Sequence, residues 1–281
     1  MSQFNKDILK IIDAAIKEDA PFGDITSECT VPSNKKAKGY VVTKGDYVIS
    51  GIDIAKMVYA RIDKGIRFKS SLENGQTILK GQKLYSVEGN ARAILLAERV
   101  TLNIIGHMMG VATKTRVFLD LIDGTKTKIL DTRKTLPTLR IIQRRAVKDA
   151  GASNHRFSLS DAILVKENHV LMCGGINKVL DKIKKIKNIK TEIEVRSFKE
   201  LTSILDSKNR PDIVMLDNMS PAMVKRAVEM NKGKVKLEAS GGISDKNIRA
   251  YALTGVDFIS LGTITHSVKS ADLSFLFEGI D

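Results

Sequence analysis

The sequence EIEVRSFKELTSILDSKNRPDIVML, residues 192–216, contains one complete strand–helix–strand unit, and this pattern decides the fold. Two short apolar runs, EIEV and DIVML, flank a segment with a helical pattern. The alternation extends in both directions, with further apolar runs at 128–130, 162–165, 235–239 and 257–261. The last four of the six runs recur about every 21 to 23 residues. Such repetition is typical of β–α units that close into a parallel barrel.

The first part of the chain has a different pattern. An amphipathic helix at the N-terminus is followed by about ninety residues of short β-prone runs, which glycine and charged turns interrupt. This predicts a small α+β domain with an antiparallel sheet. A long helical pattern over 91–122 follows, in which Gly106 and Gly110 would allow close helix packing. We expect an N-terminal domain over 1–112, joined by 268–281, and an α/β barrel over 113–267.

Composition limits the class of protein. The chain has 281 residues, 43% of them hydrophobic, and a net charge of +14 that calls for anionic partners. Nucleic acid fits poorly, because there is no tryptophan, only 5% aromatic residues and no base-reading motif. Cys29 and Cys173 lack the spacing of a disulfide framework or a zinc site. We expect no membrane span and no signal peptide, and therefore a cytoplasmic protein.

Polar or glycine residues stand at the C-terminal end of each predicted barrel strand, where barrels carry their chemistry. They are Asp131, Lys166, Glu194, Asp217, Ser240 with Gly241 and Gly242, and Gly262. The last two positions are glycine turns, EASGGIS and SLGTITHS, which would leave backbone N–H groups open to a phosphate at a helix N-terminus. Phosphate is commonly bound after the final two strands of such barrels.

Cations are concentrated in the stretch from residue 128 to 170, between two of the apolar runs. They are Arg133, Lys134, Arg140, Arg144, Arg145, Lys148, His155, Arg156 and Lys166. Arginine donors match carboxylate and phosphate groups, so this stretch predicts a site for a small ligand with several acidic groups. A solvated basic helix is an equal alternative for residues 138–148, where the charges recur at helical spacing.

Several motifs resemble, in order and spacing, those of the quinolinate phosphoribosyltransferase family, also called nicotinate-nucleotide pyrophosphorylase (carboxylating). They are EDAPFGDIT (18–26), AERVTLN (97–103), DTRKTLPTLR (131–140), NHRFSLSDAILVKENH (154–169), EIEV (192–195), DIVMLDNM (212–219), LEASGGI (237–243) and GVDFISLGTITHS (255–267). The resemblance spans nearly the whole chain. It implies an N-terminal α/β sandwich, an open TIM-like barrel of about seven strands, and a homodimer.

The resemblance also implies roles for individual residues. Quinolinate, phosphoribosyl pyrophosphate (PRPP) and Mg²⁺ would meet in one pocket, with Arg99 reaching it from the other subunit. Lys134, Lys166, Glu194 and Asp217 would act in catalysis, and the two carboxylates would hold ribose hydroxyls and the metal, directly or indirectly. The remaining substrate-binding residues would be Thr132, Arg133, His155 and Arg156 for the anionic groups, and Ser240, Gly241, Gly242, Gly262 and Thr263 for the 5′-phosphate.

Three alternatives remain at this point. Residues 148–153, Thr138 and the Phe157-Ser158 pair depart from the family pattern, so a related molybdate-operon protein that shares the fold is the nearest alternative. A Schiff-base aldolase would use Lys166, but it needs a lysine in an apolar setting. A nucleic-acid-binding protein would bind DNA with steep salt dependence and catalyse no reaction.

Overall fold

The computed structural model describes residues 3–186 and 188–278. Its elements, in chain order, are α1 (Gln3–Asp19), α2 (Ile25–Thr30), β1 (Lys36–Thr43), β2 (Tyr47–Val48), α3 (Ile52–Ile62), β3 (Arg67–Lys69), β4 (Thr77–Ile78), β5 (Lys83–Asn90), α4 (Ala91–Leu121), β6 (Lys128–Leu130), α5 (Arg140–Asp149), β7 (Ile163–Val165), α6 (Glu167–Cys173), α7 (Ile176–Ile183), β8 (Thr191–Val195), α8 (Phe198–Asp206), β9 (Ile213–Asp217), α9 (Pro221–Asn231), β10 (Lys236–Ser240), α10 (Ile248–Ala252), β11 (Phe258–Ser260), α11 (Thr263–His266) and β12 (Leu273–Glu278).

The chain forms two compact units. Unit 1 comprises Met1–Arg116, Thr135–Gly151 and Ile264–Asp281, and unit 2 comprises Val117–Lys134 and Ala152–Thr263. The segment with α5 therefore belongs to unit 1, although its sequence lies between two strands of unit 2. The sequence pattern did not anticipate this exchange, and the domain limits at 112 and 267 stay a prediction.

Unit 1 is built on an antiparallel sheet in the order β12-β1-β5-β3, with a two-stranded β2–β4 pair. In β1 the burial alternates from Gly39 to Thr43, as expected for a strand with one face on a core. The rings of Tyr59, Phe68 and Tyr85 pack together in that core, with Phe68 and Tyr85 stacked at 4.7 Å between centroids. The predicted antiparallel α+β region is confirmed.

Unit 2 contains a parallel sheet in the order β6-β11-β10-β9-β8-β7. All five residues of β8 are buried, as is typical of a strand covered on both faces. Each of the six apolar runs is a strand, so the predicted parallel α/β fold is confirmed. The described residues give six strands in this sheet, where the family resemblance implied about seven, and Leu130 also forms an isolated parallel bridge with Ser153.

Helix starts in unit 2 follow the sequence signals in one case and not in another. Ser220 caps α9, because its hydroxyl accepts a hydrogen bond from the Met223 N–H and Pro221 takes the first helical position. In the sequence, Ser244 before an Asp-Lys-Asn turn also has the side chain of an N-cap and predicts a helix start there, and this prediction is wrong. Helix α10 begins three residues later, after Asn247, whose side chain accepts a hydrogen bond from the Ser244 N–H at 2.8 Å.

Helix α4 is the central helix of unit 1. A Cβ at Gly110 would lie 2.3 Å from the Lys269 carbonyl oxygen, and one at Gly106 would lie 3.0 Å from that of Ala271. The two glycines thus admit an extended segment, where a second helix was expected. We expected no membrane span. By length and composition alone, however, α4 could cross a membrane. Because 67% of its apolar window is buried, it resembles the core helix of a soluble protein.

Candidate active site

A cavity of about 520 Å³ lies within unit 2, at the C-terminal ends of the parallel strands. Such strand ends are where parallel barrels place their active sites. It is lined by Thr132, Arg133, Lys134, His155, Arg156, Leu164, Lys166, Glu194, Met215, Asp217, Asn218, Ser240, Gly241, Gly242 and Ser260. The structure therefore brings eleven of the fourteen predicted site residues together in one place.

Buried Asp131 positions one wall of this cavity. It follows β6 directly and has no exposed surface, and its carboxylate accepts hydrogen bonds of 2.7 Å from the His155 N–H and the Asn154 amide. These bonds hold the Asn-His-Arg segment against the strand end. The carboxylate that the sequence suggested for chemistry is thus used to fix the loop that carries His155 and Arg156.

Two guanidinium groups are close to each other in the wall. Arg156 donates from Nη1 to the carbonyl of Ala162 at 2.9 Å, and it is half-buried. Burial first, and then the charge of nearby Arg133, lower the pKa of Arg156 from its ordinary value. Two neighbouring cations repel each other, and an anion placed between them relieves that repulsion. The pair is therefore suited to a ligand with more than one acidic group.

Lys166 lies at the start of α6, immediately after β7. Its Nζ is 3.2 Å from Glu194 Oε2, and its side chain is 54% exposed whereas that of Glu194 is 6% exposed. Its backbone N–H donates to His169 Nδ1 at 2.9 Å, which fixes the strand-to-helix turn. An exposed, ion-paired lysine is not the desolvated amine that a Schiff-base aldolase needs. Lys166 is instead placed to bind an anion.

Two carboxylates at the ends of neighbouring strands also line the cavity. Glu194 precedes the last residue of β8, and Asp217 is the last residue of β9. Asp217 Oδ2 accepts hydrogen bonds from Arg196 Nε at 3.2 Å and from the Asn218 amide at 2.9 Å. Both carboxylates thus have cationic or amide partners. Oxygen ligands of this kind are also the ones that Mg²⁺ prefers.

The glycine turn after β10 forms a third wall. Gly241 has φ of +91° and Gly242 has φ of +65°, a region that favours glycine. A Cβ at Gly241 would lie 2.3 Å from Asn218 Oδ1, so the close approach also requires glycine. Helix α10 starts only at Ile248 and has five residues. Any phosphate here would therefore meet the amides of the turn, where we had expected a helix N-terminus.

Below the cavity, His155 faces two glutamates inside the sheet. Its Nε2 lies 3.1 Å from Glu192 Oε2 and 3.7 Å from Glu238 Oε2. Glu238 is fully buried, and among the described residues neither of its oxygens has a hydrogen-bond partner. Burial, and then the charge of Glu192, raise the pKa of Glu238 to about 7. The cluster therefore shares a proton near neutral pH.

The same three side chains could in principle bind a metal ion, since their ligand atoms lie within 4.8 Å of one another. The imidazole argues against it. His155 Nδ1 accepts the Arg156 N–H at 2.7 Å, so the single proton of a neutral ring is on Nε2 and points to the glutamates. A ring in that tautomer has no lone pair left for a metal. The geometry favours a shared proton over a bound ion.

Three predicted site residues do not line this cavity. Gly262 and Thr263 follow β11 outside its lining, and Arg99 lies in unit 1. There Arg99 lines another cavity of about 270 Å³ with Leu102, Asn103 and residues 270–273. Four further residues line the cavity that the sequence patterns did not indicate: Leu164, Met215, Asn218 and Ser260. Each belongs to a strand or follows one directly, so reading every strand end one residue further would have found Asn218.

The arginines of α5 are not part of the cavity lining described above. Arg145 bonds Asp149 Oδ1 at 2.8 Å and lies 3.4 Å from Asp53 Oδ2, all within unit 1. Arg144 is buried, as are Ile142 and Ala146. Of the two alternatives for residues 138–148, the helical one agrees with α5, which buries Ile142 and Ala146. Arg145 pairs with acids of unit 1, Arg140 bonds the Thr135 hydroxyl, and Arg144 is buried. These arginines are therefore less solvated than the alternative supposed.

Comparison with known proteins gives consistent results over the whole chain. Residues 24–109 match the family model described as "Quinolinate phosphoribosyl transferase, N-terminal domain", and residues 111–276 match that of its C-terminal domain. A nicotinate-nucleotide pyrophosphorylase [carboxylating] of Mycobacterium leprae is 39% identical over 92% of this chain and 93% of its own. A quinolinate phosphoribosyltransferase [decarboxylating] of Nicotiana glauca is 34% identical over 97% and 83%.

A solved structure also matches almost the whole of this chain. The nicotinate-nucleotide pyrophosphorylase from Francisella tularensis superimposes with a TM-score of 0.93 at 38% identity. The match covers 99% of this chain and 100% of that chain. The likeness therefore includes both units.

Proposed function

Because this chain belongs to the quinolinate phosphoribosyltransferase family, we propose that it joins quinolinate to PRPP in de novo NAD biosynthesis. The products are nicotinate mononucleotide, pyrophosphate and carbon dioxide. One observation supports this most: Arg133, Arg156 and Lys166 line the same cavity as Glu194, Asp217 and the glycine turn. Two anionic reactants need such a concentration of cations to come together.

Quinolinate carries two carboxylates, and the wall with Arg133 and Arg156 is suited to them. Guanidinium groups bind carboxylates through paired hydrogen bonds, each worth about 1.5 to 3 kcal/mol when charged. Lys134, Thr132 and His155 line the same wall and complete its polar surface. In this arrangement the pyridine nitrogen is brought to the sugar, while the cations compensate the repulsion between the two reactants.

PRPP occupies the opposite side. Glu194 and Asp217 accept hydrogen bonds from ribose hydroxyls, and the amides of Ser240, Gly241 and Gly242 receive the 5′-phosphate, with Gly262 and Thr263 as a second glycine turn. When the bond from the anomeric carbon to pyrophosphate breaks, positive charge develops on the sugar, and the two carboxylates stabilise it. Lys134 and Lys166 stabilise the negative leaving group. The reaction needs no protein nucleophile.

Decarboxylation follows from the charge of the product ring. Once the nitrogen is bonded to the sugar it is cationic, and the carbon–carbon bond to the adjacent carboxylate can break. The electron pair remains on the ring carbon beside the cationic nitrogen, carbon dioxide leaves, and the carbon takes up a proton. The protein's part is to hold the ring in place and to exclude competing positions of the substrate.

Mg²⁺ fits the carboxylate pair. It commonly binds through one or two carboxylates together with substrate phosphates, and Glu194 and Asp217 are the oxygen donors placed for this, directly or through water. When bound, it supplies positive charge to the departing pyrophosphate. Removal of Mg²⁺ with EDTA should abolish turnover, and added Mg²⁺ should restore it. Full turnover without any divalent cation would contradict this requirement.

A homodimer completes the site in this proposal, with Arg99 of one subunit reaching the other. The support is the family's motif at residues 97–103, which contains Arg99. Arg99→Ala and Lys166→Ala should each be inactive as homodimers. Mixing and reassembling them should recover about a quarter of wild-type activity, because half of the dimers then contain one complete site. No recovery in verified mixed dimers would contradict the shared site.

The reaction can be tested with one assay. Purified protein is given quinolinate, PRPP and Mg²⁺, and pyrophosphate and carbon dioxide are measured, with nicotinate in place of quinolinate as the control. We expect both products in equal amounts from quinolinate and neither from nicotinate. Pyrophosphate without carbon dioxide, or preference for nicotinate, would show that the proposed substrate is wrong. We place the enzyme in the cytoplasm, which fractionation of cells would test.

A further inference from the structure

Arg196 has no role in the function proposed so far, yet its guanidinium lies at the rim of the cavity. It follows β8 directly and precedes Ser197, which caps α8. The Arg196 N–H donates to Glu200 Oε2 at 2.8 Å, and Ser197 Oγ accepts the Glu200 N–H. These two bonds fix the backbone at the turn. The side chain therefore starts from a rigid position at the C-terminal edge of the sheet.

The guanidinium bridges carboxylates from three different strand ends. Its Nε lies 3.2 Å from Asp217 Oδ2, its Nη2 lies 4.0 Å from Glu194 Oε1, and its Nη1 forms an ion pair with Glu167. Two of these, Asp217 and Glu194, line the cavity. A ligand bound against those carboxylates would thus be within reach of the Arg196 side chain.

The charge balance at this rim shows why a cation is needed there. Three carboxylates lie together, and Lys166 also pairs with one of them, Glu194. Without Arg196, Asp217 and Glu167 would each lose an ion pair, and Mg²⁺ alone would offset the charge of Asp217 toward the phosphates of the reactant. Repulsion between these carboxylates and the phosphates would weaken the binding of the reactant. Arg196 therefore offsets a repulsion that the ribose-binding carboxylates introduce.

Arg196 also retains donors for a ligand. A guanidinium has five N–H donors, and the three recorded contacts use at most three of them. Its side chain is 50% exposed, so the remaining edge is accessible to a bound molecule. Planar, forked donors are the groups that bind phosphate oxygens in pairs.

We propose that Arg196 is a further PRPP-binding residue, which shields Asp217 and Glu194 from the reactant's phosphates and donates hydrogen bonds to its pyrophosphate. The inference rests on the proposed function, since it needs PRPP in this cavity. It adds a residue outside the motifs by which the family was identified. Arg196 should affect the binding of PRPP and not that of quinolinate, because quinolinate is proposed to bind to Arg133 and Arg156.

The first test is direct binding of inorganic pyrophosphate, with and without Mg²⁺, by isothermal titration calorimetry. Arg196→Ala should weaken binding about tenfold, and Arg196→Lys should recover part of it, because lysine keeps the charge and loses the fork. The control is Arg61→Ala, which removes an arginine of similar exposure that pairs with Asp13. Wild-type pyrophosphate affinity in correctly folded Arg196→Ala would overturn the proposal.

The second test is steady-state kinetics with each substrate varied. Arg196→Ala should raise KM for PRPP about tenfold and change KM for quinolinate by less than about twofold. An equal rise for both substrates would overturn the proposal, because it would indicate general loss of charge or structure. If the wild-type protein has no turnover with quinolinate, the proposed function fails by itself. The pyrophosphate titration still decides the role of Arg196 as a binder of this group.

Discussion

Two regions of this protein are equally rich in cations, and they use them differently. In α5, Arg145 bonds Asp149 and approaches Asp53, and Arg144 is buried within unit 1. At the strand ends of unit 2, by contrast, Arg133 and Arg156 line a cavity and are close enough for one charge to lower the pKa of the other group. The position of a cation relative to a parallel strand end therefore indicates a binding role better than local charge density does.

The largest expected difference in activity between the two regions comes from comparing one arginine variant in each. Arg133→Ala should lower kcat/KM at least tenfold for each lost contact, at about 1.4 kcal/mol each, and about a hundredfold if two bonds are lost. Arg145→Ala removes the same charge from α5, and it should leave kcat/KM within about twofold. Steady-state kinetics of the two variants gives the comparison. Equal losses of activity would mean that overall charge, and not the cavity, brings the reactants together.

The glycine turn of unit 2 gives the next largest effect. Gly241→Ala places a methyl group 2.3 Å from Asn218 Oδ1 at φ of +91°, so we expect about tenfold higher KM for PRPP and a lower melting temperature. Gly81→Ala is the matched control in unit 1. Its φ is +82°, and nothing lies within 4 Å of the added carbon. It should lose about 1 kcal/mol of stability and no activity. Unchanged KM in Gly241→Ala would remove the turn from the site.

Charge pairing also differs between the regions, and pH can reveal it. Glu238 has a pKa raised from 4.5 to about 7, chiefly by burial, so the folded chain binds an extra proton between these values. The free energy of unfolding should therefore fall as pH rises through this window. The contribution of His155 to the free energy of unfolding changes with pH in the same direction. Burial opposes protonation of His155, but the Glu192 hydrogen bond and the charge of Glu238 raise its pKa, so its contribution is also lost with rising pH.

Glu238→Gln tests this assignment. The variant should lose part of the decline in unfolding free energy between pH 5 and pH 8, a difference on the order of 1 to 3 kcal/mol by linkage. Denaturant titrations of wild type and variant at both pH values measure it. Asp149→Asn is the control from the paired region. An identical pH slope in wild type and Glu238→Gln would show that Glu238 does not hold the proton.

Lys148→Ala should have the smallest effect. Lys148 is exposed and lies in the last turn of α5, at the start of residues 148–153, which depart from the family's pattern. We expect kcat/KM within about twofold of wild type, as for other exposed charges. A loss of tenfold or more would place the end of α5 in the substrate site. That result would break the distinction between the two regions.

Much of this distinction could be read from the sequence. The apolar runs of unit 2 are long enough and regular enough to predict every strand, and therefore every strand end, from Asp131 to Ser240. The exchange of α5 into unit 1 could not be predicted, because helical periodicity shows which face is buried but not against what. Arg196 was missed for a related reason. Its carboxylate partners come from other strands, so its position has no local signal.

The proposed reaction depends on the cations at the strand ends of unit 2, which bind the carboxylates of quinolinate. A crystal structure of the protein with quinolinate would show this binding. We expect electron density for the ligand in the 520 Å³ cavity, with carboxylate oxygens within hydrogen-bond distance of Arg133 and Arg156. If quinolinate binds elsewhere while Arg133 and Arg156 still line an empty, accessible cavity, the proposed role of these two arginines is wrong.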